Sequence, residues 1–108
     1  MTLAAGLFLI AHGLVHLATW LPAPKDDAPF DPRRSWLVGD SPAVVRPLAI
    51  TAAGLLVAAG ILVLSGAGAG VPIAVAGAGA SLTLVLLFHP WFLAAIAINA
   101  AIIAVAAV

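Results

Sequence analysis

Apolar residues run almost unbroken from Leu3 to Leu21, from about residue 42 to Leu64, from Val71 to Phe88, and from Pro90 to Val108. A helix needs about 20 such residues to cross the hydrocarbon of a bilayer, and about 17 is the lower limit, so each run is a candidate span. Polar punctuation separates the runs. Ser41-Pro42 reads as an N-cap followed by proline at the first helical position. Pro47 then either starts the second span or kinks a helix begun at Pro42. The stretch Ser65-Gly66-Ala67-Gly68-Ala69-Gly70 is a turn. His89-Pro90 breaks the third run, because the residue before a proline is pushed away from α geometry, and Pro90 can open the fourth helix.

The pattern predicts helices over about 3–21, 42–64, 71–88 and 90–108, with a polar loop at 22–41, all in one domain spanning 1–108. The first run reads as a retained span rather than a leader, since no basic residue precedes it and no clean small-x-small site follows. Short connections between the later helices favour antiparallel neighbours. The expected fold class is therefore all-α: an integral membrane four-helix up-down antiparallel bundle with one long polar loop between helices 1 and 2.

Composition strengthens this reading. The chain is 65% hydrophobic and 7% charged, too few polar residues to clothe a soluble domain of 108 residues. The absence of cysteine excludes disulfides and thiolate metal sites. A net charge of zero argues against nucleic acid as a partner. Every Lys, Arg, Asp and Glu falls between residues 25 and 46, so the charge belongs to one end of the bundle. By the positive-inside rule the loop is expected in the cytoplasm and both termini outside, in the plasma membrane of a prokaryote. Small pairs at a spacing of four, Gly54/Ala58, Gly77/Ser81 and Ala97/Ala101, are candidates for close helix contact.

The chemistry is concentrated in Ala11-His12-Gly13-Leu14-Val15-His16, which places two imidazoles about one turn apart on one helical face. A polar group at membrane depth must find a partner, because an unpaired one costs several kcal/mol. At about 1.5 Å per residue, His12 lies about 13 Å from the loop end and Asn99 about 12 Å, so the two can meet. By the same measure His16 can meet Thr51 and Thr83, and Ser81 lies between the two levels. These residues are the expected lining of a polar pocket. Trp20, Trp36 and Trp91 share the loop end, as an aromatic belt or as the rim of a pocket mouth that Asp31 and Asp40 also edge.

His89 adds a third imidazole at the same end. His12, His16 and His89, with a loop aspartate as a fourth ligand, would suit a transition metal ion such as zinc, copper or iron. A haem held by His12 or His16 opposite His89 is also sterically open. The glutamate of a zinc hydrolase motif is missing, because Gly13 follows His12. Three histidines are also too few for the histidine boxes of membrane desaturases.

Three functional classes remain. The leading expectation is a small polytopic membrane protein whose pocket, lined by His12 and His16, binds a metal ion or a small ligand. The second is an accessory subunit of a larger membrane complex or a homo-oligomer, with the lipid bilayer as its other partner. The third is a small proton-coupled transporter using histidine titration. Enzymatic activity is the least supported class.

Overall fold

The computed structural model describes residues 2–21, 34–37, 39–88 and 92–106. It is all-α apart from one short ribbon. The helices are α1 (Thr2–Trp20), α2 (Pro42–Leu64), α3 (Gly70–Phe88) and α4 (Leu93–Ala106). Strands β1 (Arg34–Ser35) and β2 (Gly39–Asp40) pair antiparallel, with Arg34 opposite Asp40 and Ser35 opposite Gly39. Helices α1, α2 and α3 are long and apolar enough to cross a membrane, whereas α4 is apolar but shorter, at 14 residues.

Local sequence explains the helix ends. The carbonyl of Ser41 accepts from the backbone N–H of Val44 and of Val45, each at 3.0 Å, and Pro42 follows at the start of α2. Pro47 lies inside α2, so a single helix begins at Pro42 and carries the second proline within its second turn. At the other end Gly66 adopts φ +77°, a left-handed conformation that glycine enters without Cβ strain. Its N–H donates to the Val63 carbonyl at 3.1 Å and that of Ala67 to Leu62 at 2.9 Å, the pair of bonds that closes a Schellman motif.

Packing follows chain order: α1 lies on α2, α2 on α3 and α3 on α4, and among the described residues no comparable seam joins α1 to α4. Glycine sets the first two contacts. A Cβ on Gly60 would stand 2.6 Å from the Gly6 carbonyl oxygen, and one on Gly13 would stand 2.9 Å from that of Ala53. Gly77 lets α3 close on Leu56, where an added Cβ would lie 2.9 Å from the side chain. Small residues therefore do bring helices together, but not at all the expected places. Gly77 and Ser81 are buried, whereas Gly54 has nothing within 4 Å and Ala97 and Ala101 are exposed. The seam between α1 and α2 uses Gly6, Gly13, Ala53 and Gly60 instead.

Burial is inverted relative to a water-soluble bundle. Ala49, Ala52, Ala53, Ala59, Ala74 and Ala78 are inside, while Leu7, Leu14, Ile50, Ile61, Leu93 and Val105 face outward. Thin helices that approach closely, with large apolar side chains outside, suit a hydrocarbon solvent in which dispersion and packing drive association. The interior holds two apolar layers. One contains Trp20, Val45, Ala49, Leu84, Val85 and Phe88, and the other contains Leu9, Leu56, Ala59 and Ala74. Between them lies a polar layer.

Candidate functional site: a buried histidine–serine–asparagine cluster

The polar layer is built by α1, α3 and α4. On α1, Gly13 faces α2 while the two histidines reach across to the other helices. Their rings meet edge to face, with centroids 4.9 Å apart. His12 also stacks on Phe8, one turn earlier, at 5.8 Å. Ser81 on α3 and Asn99 on α4 are fully buried, His16 nearly so, and His12 half-buried.

The donors and acceptors settle the direction of each bond. Asn99 Nδ2 donates to Ser81 Oγ at 2.8 Å and to the Ala95 carbonyl at 3.0 Å. That turns Asn99 Oδ1, an acceptor only, toward His12 Nε2 at 3.0 Å, so the proton of a neutral His12 sits on Nε2. His16 Nδ1 lies 2.8 Å from the His12 carbonyl oxygen, which can only accept, so a neutral His16 carries its proton on Nδ1. Its Nε2 is then a lone pair, and Ser81 Oγ donates to it at 2.5 Å. The circuit is directed throughout: His12 to Asn99, Asn99 to Ser81, Ser81 to His16, and His16 back to the His12 backbone. The two rings are held in opposite tautomers. Only His12 Nδ1 has no partner among the described residues.

The cluster brings together His12, His16, Ser81 and Asn99, and it leaves out the two threonines. Thr51 is exposed on α2. Thr83 is exposed as well, and its Oγ1 donates to the Gly79 carbonyl one turn earlier at 2.8 Å. Depth along the helix placed these threonines near His16, but helix rotation decides. Thr83 is two residues beyond Ser81, about 200° around the helix.

The tryptophans divide. Trp20 is buried in the apolar layer against Phe88, with ring centroids 6.1 Å apart, rather than standing at a rim. Trp36 is exposed, and its Nε1 donates to the Leu86 carbonyl at 2.6 Å. Ser35 Oγ donates to the neighbouring carbonyl of Leu87 and accepts from the Leu37 N–H. The ribbon thus supplies donors to the last turn of α3, whose carbonyls have no intrahelical partners. The loop's length and its Phe30, Trp36 and Leu37 suggest a segment that folds back over the bundle, but nothing in the sequence points to the end of α3 as the place it caps. His89, Trp91, Asp31 and the side chain of Asp40 lie outside the described residues.

Among the described residues no group of three His, Asp or Glu side chains converges on one point. Both ring nitrogens of His16 are engaged, so a metal held by this pair would have to displace its bond to Ser81 or to the His12 carbonyl, with His12 Nδ1 the one ring nitrogen left open. Below the cluster, α1 and α4 part around an apolar cleft of about 610 Å³. Phe8, Leu9, Ala74, Ile98, Ile102 and Val105 line it. Leu9 precedes His12 by one turn and Ile98 adjoins Asn99, so the polar layer stands at the inner end of the cleft. Comparison with known proteins finds no matching family model, no similar curated protein and no similar solved structure.

Proposed function

We propose that this chain is a small polytopic membrane protein that binds a hydrophobic, membrane-resident ligand between α1 and α4, with the His12–Asn99–Ser81–His16 cluster holding the site in shape. The observation that carries this reading is the His12–Asn99 bond, a polar tie between α1 and α4. They share no packed seam, yet the His12–Asn99 bond holds them across the head of a cleft whose volume falls in the range of about 300–1,000 Å³ typical of small-molecule sites. A ligand suits these residues better than a metal does, because three of the four ring nitrogens are engaged by Asn99, Ser81 and the His12 carbonyl.

The topology that accompanies this reading is an up-down antiparallel bundle. Gly6 lies by Gly60 and Leu64 while Gly13 lies by Ala53 and Leu56, and Gly70 lies by Val63 while Gly77 lies by Leu56, so residue numbers fall on one helix as they rise on its neighbour. The charged stretch 25–46 then sits at one end, which the positive-inside rule assigns to the cytoplasm.

Two readouts on gently extracted protein test the proposal. Native mass spectrometry should find an organic adduct retained by the unaltered chain and lost in His12→Leu, and elemental analysis should find no stoichiometric metal. Protein released bare would contradict ligand binding, and stoichiometric metal lost with His12 would establish a metal centre instead. Because the chain lacks cysteine, single-cysteine variants at Thr2 and Gly39 report topology directly. Impermeant thiol reagents applied to whole cells should label the first and spare the second.

A further inference from the structure

We infer that the occupant of the cleft is one acyl chain of a bilayer lipid, drawn from the leaflet at the end of the bundle that carries Ala5, Val63, Val71 and Val105. The inference rests on the ligand-binding reading above and gives it a ligand class. One cavity touches residues near the start of α1, the end of α2, the start of α3 and the end of α4, so it lies in that half of the bundle, between that end and the polar layer. The α4 wall of the cleft runs from Ile98 to Ala106, a rise of about 12 Å, which is most of the depth of one leaflet of a hydrocarbon core about 30 Å thick. The cleft therefore takes most of the length of one acyl chain, and every residue that lines it is apolar.

Two further observations narrow the occupant. All Lys, Arg, Asp and Glu residues lie between 25 and 46, so no charged side chain at this end can select a headgroup. A helix from a second copy, about 10 Å across and rising 1.5 Å per residue, would fit only about five residues into 610 Å³. The cleft takes a chain, chosen by its hydrocarbon, and would seat little more than one turn of a helix.

The experiment uses the full chain in phosphatidylcholine nanodiscs containing a trace of phosphatidylcholine with a photoactivatable diazirine in its acyl chain. Irradiation followed by peptide mass spectrometry should place crosslinks on Phe8, Ile98 and Ile102 several-fold above those on the outward Leu14, Ile50 and Ile61. Ala101→Phe, which fills the cleft from its α4 wall, should abolish the excess. Replacing the probe's head by phosphatidylglycerol should leave it unchanged. Crosslinks spread evenly over the outward positions would overturn the inference, as would a marked preference for one headgroup or chain-to-chain crosslinks through Phe8 and Ile102. Should Ala101→Phe fail to fold, the pattern on the unaltered chain decides alone. Even labelling together with a retained organic adduct would remove the acyl chain while leaving ligand binding intact. Even labelling of a chain that is released bare would remove both.

Discussion

Ser81 is the residue through which the cluster is connected. Its hydroxyl accepts from Asn99 and donates to His16, so, like the Asn99 amide, it is bonded to side chains of both other helices in the layer. Replacing it by alanine leaves His16 Nε2 without its donor and takes one acceptor from Asn99, both buried. Stranding a buried polar group costs about 1–3 kcal/mol. Interhelical bonds in membranes are weaker on average, about 0.6 kcal/mol and at most about 1.7, because the unfolded chain in lipid also finds partners. Ser81→Ala should therefore lower unfolding stability in bicelles by about 1–2 kcal/mol. Thr83→Val, two residues away, should change it by less than about 0.5 kcal/mol. Equal effects would show that the bond to His16 has no energetic weight. This pair also marks what the sequence could tell. His12, His16, Ser81 and Asn99 were legible as polar residues at membrane depth. Rise along the axis could not separate Ser81 from Thr83, since that depends on which way α3 is rotated.

At the scale of the element, the decisive feature is how near two helices come. Gly60 and Gly6 place α2 against α1 with backbone nearly touching, so Gly60→Val should force the pair apart and lower stability by about 1–3 kcal/mol, as overpacking with backbone displacement does. Gly54 has open space where a Cβ would go, and Gly54→Ala should be neutral or stabilising by up to about 1 kcal/mol through helix propensity. Thermal unfolding monitored by circular dichroism in detergent distinguishes them; a Gly54→Ala protein as damaged as Gly60→Val would contradict the helix faces described here. The four apolar runs and their breaks at Ser41-Pro42 and Ser65–Gly70 made the helices readable in advance. The seams were not, because alanine and glycine are so common that candidate pairs such as Gly54/Ala58 look as good as the pair that packs.

Over the whole molecule, two apolar layers enclose one polar layer, and the polar layer fixes where α1 stands relative to α3 and α4. The depth argument placed His12 beside Asn99, and the structure joins them at 3.0 Å. It did not reveal the cleft. A cavity arises where two helices fail to pack, and hydrophobicity along the chain is blind to that. Nor did it reveal the cap that Ser35 and Trp36 put on α3, which links residues about 50 apart in sequence. What the account requires above all is that the cluster exists as a directed circuit, because the spacing of α1 and α4, and so the site, depends on it.

Solid-state ¹⁵N NMR of imidazole-labelled protein in lipid bilayers tests this most directly. The hydrogen bonds predict protons at His12 Nε2 and at His16 Nδ1, with the His16 Nε2 resonance shifting on Ser81→Ala and that of His12 Nε2 on Asn99→Leu. Two rings of the same tautomer, or resonances indifferent to both substitutions, would contradict it.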